Sequence, residues 1–282
     1  MPSEGTQADL RHLLAGGIAG CTAKTLIAPF DRVKILFQTA SPLVAAHASK
    51  PLGVFPAIGQ IYAQQGFTAL YRGHSMTLAR IFPYAAIQFA SYERWKGLLQ
   101  RSRLPLRARR FLSGSLAGVT AVTCTYPFDI LRTRLVYRGE SLRQIINALG
   151  KEKFSFFQGY SPTVCGVFLY AGSSFGTFEW LKAYFSSENV GLKFFCGLVA
   201  GLTGQTLSYP LETIRRRMQL RNAEHKLAGY RSIYSSAREV FFAAKGGGFR
   251  GFYTGLSINF IKAGPSSGVA FVVYESLKRR ME

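Results

Sequence analysis

Three short stretches of this sequence hold an acid and a base at fixed distances from a proline, in apolar surroundings. PFDRVK begins at Pro29, PFDILR at Pro127 and PLETIR at Pro210. Each carries its acid two residues after the proline (Asp31, Asp129, Glu212) and its base five after it (Lys34, Arg132, Arg215). Residues three apart on a helix share nearly the same face, so each acid could bond its own base. Threefold recurrence offers a second geometry, in which each acid bonds the base of a neighbouring copy and three pairs close a ring. Such a ring seals a passage when the copies converge and opens it when they separate. Charges at membrane depth are costly to leave unpaired, so these should face an aqueous cavity and one another.

A second triplet follows the first. YERWK (Tyr92–Lys96), FEWLK (Phe178–Lys182) and YESLK (Tyr274–Lys278) set Glu93 with Lys96, Glu179 with Lys182 and Glu275 with Lys278. This set can form a matching ring at the opposite end. Two rings that are never closed together would give alternating access to a site between them. That site is expected where the threefold symmetry fails, because an asymmetric ligand is read by residues that differ between copies. Twelve residues before the aromatic of each second motif stand Arg80, Gly166 and Lys262. Lys24, five residues before Pro29, corresponds to Val122 and Gln205 in the other copies. Together the three cations suit a ligand with several negative charges, such as phosphates. For Lys24, snorkelling to an interface or a fixed structural ion pair is the alternative. Gly166 beside Val167 leaves a slot that can accept a flat ring. Tyr84, Gln88, Tyr170, Ser174 and Asn259 are further polar or amphipathic groups expected to face the same cavity.

The segments carrying these residues read as helices. His12–Gln38 would span about 40 Å at 1.5 Å per residue, enough to cross a bilayer core when tilted. Gly16 and Gly20, Gly114 and Gly118, and Gly197 and Gly201 stand thirteen and nine residues before the three prolines. Such small-xxx-small pairs let helices approach closely in lipid, and close packing is the role expected of them. The chain divides into three units of two apolar segments each, 1–104, 105–190 and 191–282. The middle unit is shorter, and its deficit falls in the connecting loop around Tyr137–Lys153. The expected fold is an all-α membrane protein of six transmembrane helices, in three two-helix repeats with threefold pseudosymmetry around a central cavity.

Composition agrees and excludes rivals. Hydrophobic residues make up 48% and charged residues only 17%, while Lys+Arg outnumber Asp+Glu by 35 to 14, a net charge of +21. The bases interrupt or flank apolar runs instead of gathering on one patch, which argues against a nucleic-acid partner. Cys21, Cys124, Cys165 and Cys196 show no metal-ligand spacing, and no nucleophile–base arrangement is visible, so neither an enzyme, a metal nor a cofactor is expected. The N-terminal MPSEGTQADLRH lacks a secretory or Arg-rich transit pattern, so targeting information is expected to be internal. Arg72, near a helix start, could touch cardiolipin, although the matching Gln158 and Thr254 are uncharged.

The two motif triplets and the glycine pairs resemble the mitochondrial carrier family over nearly the whole chain. The resemblance implies a monomeric, multi-pass transporter of the mitochondrial inner membrane, with the first triplet as a matrix gate and the second as a cytoplasmic gate. It implies glutamine braces at Gln38 and Gln219, with Val136 at the middle position. It likewise implies tyrosine braces at Tyr92 and Tyr274, where Phe178 lacks the hydroxyl. Substrate contacts fall on Arg80, Gly166, Val167 and Lys262. The stretches AKTLIAPFDRVKILFQ and GHSMTLARIFPYAAIQF are similar to carriers assigned to coenzyme A, including the Graves-disease carrier relatives. That similarity implies adenine beside Gly166 and Val167, phosphates shared among Arg80, Lys262 and Lys24, and a pantetheine arm along an aromatic-lined remainder. Leu169, where the other even helices have Pro83 and Pro265, leaves the fourth helix less kinked. Another adenine nucleotide, thiamine pyrophosphate, or a proton leak on the same scaffold are the alternative functions.

Overall fold

A computed structural model describes residues 4–48, 50, 52–150, 155–185, 190–220, 233–243 and 248–281. The first repeat opens with α1 (Glu4–Leu26) and α2 (Ala28–Gln38), one span broken at Ile27. Pro29 stands in the first turn of α2, where its missing N–H would have had no helical acceptor. In the other repeats the odd helix continues through its proline, α5 (Leu106–Arg138) through Pro127 and α8 (Val190–Leu220) through Pro210. The even helices are α4 (His74–Gln100), α7 (Tyr160–Phe185) and α11 (Leu256–Met281). Each odd–even connection contains a short helix: α3 (Val54–Gln65), α6 (Leu142–Gly150) and α9 (Ile233–Phe242), the last followed by the single turn α10 (Phe249–Phe252). The middle connection, expected as a shortened loop, thus retains its helix. Ile145 and Leu149 of α6 are buried against Ile130, Leu131 and Leu135 of α5, and this apolar face holds the element in place.

The main packing runs between repeats. α4 lies along α5, α7 along α8 and α11 along α1, so each even helix meets the odd helix of the next repeat and the circle closes. The glycine pairs do not make these contacts, which corrects the sequence expectation. A Cβ at Gly16, Gly20, Gly114, Gly197 or Gly201 would meet nothing within 4 Å, and one at Gly118 would come no closer than 3.5 Å to Val167. Close packing falls on other glycines. A Cβ at Gly204 would lie 2.0 Å from the Ser174 hydroxyl and 3.1 Å from the Tyr170 carbonyl oxygen. One recurrent glycine needs its left-handed backbone: Gly73, Gly159 and Gly255, with φ of 79°, 76° and 85°, each turn the chain immediately before an even helix.

Burial is uneven along the bundle. The largest buried cluster gathers Val33, Leu36, Phe37, Val54, Ala57, Ile61, Leu70 and Ile258 at the proline-motif end. α4 buries only Ser91 along its whole length, and large apolar side chains are exposed throughout, Phe89, Trp180 and Phe271 at 68%, 66% and 67% and Phe249 of a connection at 78%. Because the largest buried cluster lies at the proline-motif end, the helices are packed most closely there and lie more open towards the other end. Among the described residues, hydropathy alone marks just one stretch as long and apolar enough to cross a membrane, Phe249–Arg279. The other long helices also carry polar residues that line the interior, such as Lys24, Gln205 and Glu212, and these lower an average taken over the whole helix.

Candidate functional site

The three proline-motif pairs lie at the converging end, and all three join neighbouring repeats. Lys34 donates to Glu212 at 2.7 Å, Arg132 to Asp31 at 2.9 Å and Arg215 to Asp129 at 2.5 Å. Local i,i+3 pairing is not the arrangement adopted here. Arg215 also sits over the Tyr126 ring at 5.6 Å and Lys34 over Tyr209 at 5.2 Å, so two of the three bases rest on aromatic faces. These tyrosines, each immediately before its motif proline, donate their hydroxyls to the Gln158 and Thr254 carbonyls.

Two acids in the ring hold a second cation. Lys262 donates to the free oxygen of Asp31 at 2.6 Å, and Arg80 to that of Asp129 at 2.6 Å. Arg80 is further fixed by Thr125 and stacks over Tyr84, 4.8 Å from its ring centre. Both symmetry-breaking cations on the even helices are thus engaged by acids of the first triplet. Each carboxylate divides its two oxygens between a base of the motif and a base of the asymmetric set. Glu212 has no such second bonded cation among the described residues. Lys24 differs from the other cavity bases, because among the described residues it makes no ion pair or hydrogen bond.

The glutamines take unequal positions. Gln219 accepts from Thr133 at 2.7 Å and from Arg216 at 3.1 Å, and donates to the Tyr126 hydroxyl at 3.2 Å. It therefore supports the Arg215 pair through the tyrosine beneath it. Gln38 is fully buried beside the Tyr209 hydroxyl, under Lys34 as Gln219 lies under Arg215, but its amide completes no well-aligned hydrogen bond among the described residues. Two arginines that the motif reading missed act nearby. Arg134 donates to the Gln219 carbonyl at 3.1 Å and Arg217 to the Gln38 carbonyl at 3.2 Å, each bridging to the next repeat. Both stand seven residues after their proline, a register in which they could have been found.

The second triplet is arranged differently. Glu93 lies 3.4 Å from Lys96 of its own helix, and Glu179 faces Arg107 of the same repeat at 3.8 Å. Among the described residues neither acid reaches a neighbouring repeat, so neither takes part in the matching ring expected at this end. The more open packing of the helices there sets them apart. Tyr92 lies against its own Lys96 at 5.9 Å. Lys182 is exposed, and Glu275, Tyr274 and Lys278 are partly buried on α11.

Between the two ends the cavity has two lobes. The smaller, about 340 Å³, is lined by Tyr84, Gln88, Gly114, Gly118, Gly166, Val167 and Tyr170. The larger, about 580 Å³, contains Lys24, Lys34, Lys262 and Asn259. Ser208 and Glu212 of α8 belong to both and mark where they meet. One expected cavity residue is placed elsewhere. Ser174 donates to the Ala200 carbonyl at 3.1 Å and is wedged against Gly204, so it secures the α7–α8 contact. The larger lobe is also less aromatic than expected. Phe194 is its one aromatic among the described residues, and Gln205, Ser208, Ser266 and Ser267 supply amide and hydroxyl groups.

Comparison with known proteins fits this arrangement. The family described as Mitochondrial carrier protein matches residues 6–103, 107–189 and 186–282. A human relative named Solute carrier family 25 member 16 is 40% identical, over 96% of this chain and 88% of its own length. Mitochondrial carrier protein LEU5 of Saccharomyces cerevisiae is 37% identical, over 95% of this chain and 89% of its own. A zebrafish (Danio rerio) protein named Mitochondrial coenzyme A transporter SLC25A42 is 37% identical, over 94% of this chain and 85% of its own.

Proposed function

This chain belongs to the mitochondrial carrier family, whose members are transporters and not enzymes, and from that premise we propose that it carries a phosphorylated, adenine-containing anion, coenzyme A in the first place, across the mitochondrial inner membrane. The observation that supports this best is the ammonium of Lys24, which makes no ion pair or hydrogen bond among the described residues, in a polar cavity already rich in cations. An ammonium held in a part-buried cavity without a partner favours an anionic ligand strongly. A flat ring fits the lobe beside Gly166 and Val167, where a Cβ at Gly166 would stand 3.9 Å from Leu211. Phosphates then reach Lys24 directly, and Arg80 and Lys262 by exchange with Asp129 and Asp31. The relative that bears coenzyme A in its name supports the choice among phosphorylated ligands.

The proposed mechanism is alternating access. The six long helices cross the membrane as a monomer, with the first triplet closing the matrix end and the second closing the cytoplasmic end in turn. In the conformation described, the first ring is joined, while Glu93 and Glu179 of the second reach no neighbouring repeat among the described residues, which is the state open to the cytoplasm. A phosphate that takes Arg80 from Asp129, or Lys262 from Asp31, leaves that acid with one partner and loosens the closed end. Binding and opening are thereby coupled through shared carboxylates. A Cβ at Gly16 or Gly20 would meet nothing within 4 Å in this state, which leaves space at those positions as the helices converge. Lipid headgroups, cardiolipin among them, are further partners through bases such as Arg72.

Purified protein should be unfolded thermally with coenzyme A, dephospho-coenzyme A, ADP or thiamine pyrophosphate, and the same ligands assayed for uptake into liposomes. A ligand bound only by the folded state raises the midpoint by mass action. Coenzyme A should protect most and be taken up. Protection by thiamine pyrophosphate alone would move the substrate to that class, and protection by none would refute a phosphorylated ligand.

A further inference from the structure

The larger lobe carries more chemistry than phosphate binding uses. Beside its cations Lys24, Lys34 and Lys262 stand Gln205 and Ser208 on α8, and Ser266 and Ser267 on α11, which are neutral. We propose that these four side chains, with Asn259, form a specificity site that reads an amide-bearing arm of the ligand, separately from the cations that hold its phosphates. This rests on the reading of the substrate as a phosphorylated ligand with such an arm.

The hydrogen-bond directions point that way. The Ser208 hydroxyl donates to the Gly204 carbonyl at 2.8 Å, and the Ser267 hydroxyl to the Ala263 carbonyl at 2.9 Å. A hydroxyl has one proton, so both serines offer the cavity an acceptor only. Phosphate oxygens are acceptors too and gain nothing there, whereas an amide N–H is matched. Gln205 and Asn259 each donate and accept, as an amide carbonyl and its N–H require. Leu198, Leu202 and Ala263 lie among these groups and suit the methylenes between successive amides. A ligand that ends at its phosphates would leave this wall to water. A ligand with a peptide-like arm would use it.

The test compares coenzyme A with adenosine 3′,5′-bisphosphate, which keeps the nucleotide and loses the arm. Binding to the full-length protein is measured for the wild type, for Gln205→Leu on α8 and for the Ser266→Ala, Ser267→Ala pair on α11. Two variants on separate helices keep the test usable if one of them fails to fold, which the unliganded melting midpoint reports. The wild type should bind coenzyme A more tightly than the bisphosphate. Each variant should lose roughly tenfold for coenzyme A and remain within about twofold for the bisphosphate. If the wild type binds both ligands and the variants weaken both alike, or neither, the specificity site is refuted and the substrate reading stands. If the wild type binds neither ligand, the substrate reading fails and this site fails with it.

Discussion

Charge exchange within the ring separates the three pairs, and the structure ranks the outcomes. Reversing one partner alone, as in Asp129→Arg, puts a cation where Arg215 and Arg80 both converge on Asp129 at 2.5 and 2.6 Å. At about 4 Å and an effective dielectric of about 20, each like-charge contact costs about 4 kcal/mol, so single reversals should abolish transport. Adding Arg215→Asp restores the pair but leaves the new Arg facing Arg80, a residual penalty of roughly a thousandfold if nothing relaxes. The Asp31 and Arg132 exchange leaves the same conflict with Lys262, which lies 2.6 Å from Asp31. Glu212 has no second bonded cation among the described residues, so Glu212→Lys with Lys34→Glu should recover most. The assay is uptake by reconstituted protein, with insertion checked for every variant. Pairing Asp129→Arg with Lys34→Asp should rescue nothing, since Lys34 bonds Glu212. Equal rescue by all three exchanges, or rescue by the mismatched pair, would refute the ring geometry and the double engagement of Asp31 and Asp129.

Two further outcomes follow from single contacts. Lys24→Ala should leave the unliganded melting midpoint unchanged and weaken coenzyme A by about ten- to a hundredfold, from the 1.5–3 kcal/mol of a charge-assisted bond; if Lys24 takes the 3′-phosphate, dephospho-coenzyme A should lose less, and no loss for either ligand would make the lysine structural. Gly204→Ala forces a methyl to 2.0 Å from the Ser174 oxygen, so it should cost about 1–3 kcal/mol of stability, measured by thermal or denaturant unfolding, and Ser174→Ala should recover part of it.

The sequence by itself determined the repeat and most of the chemistry. Fixed registers from the three prolines identified the first acids and bases and Lys24, and registers from the second motifs identified Arg80 and Lys262, because period and residue type are local properties that survive without coordinates. The long helices were legible for the same reason, whereas the short connecting helices and the left-handed turns at Gly73, Gly159 and Gly255 appeared only in the structure. The tertiary structure alone decided who pairs with whom. The ring bonds join residues 86, 101 and 178 positions apart, and which neighbour each base meets depends on the direction in which the helices wind about the axis. It also decided that Arg80 and Lys262 are held by Asp129 and Asp31 while Lys24 has no bonded partner among the described residues, since spacing marks a cation as unusual but cannot say what already binds it. The glycines make the same point. A small residue is compatible with tight packing or with an open wall, and only the neighbour across the gap distinguishes Gly204, pressed against Ser174, from Gly197 and Gly201, which line the cavity.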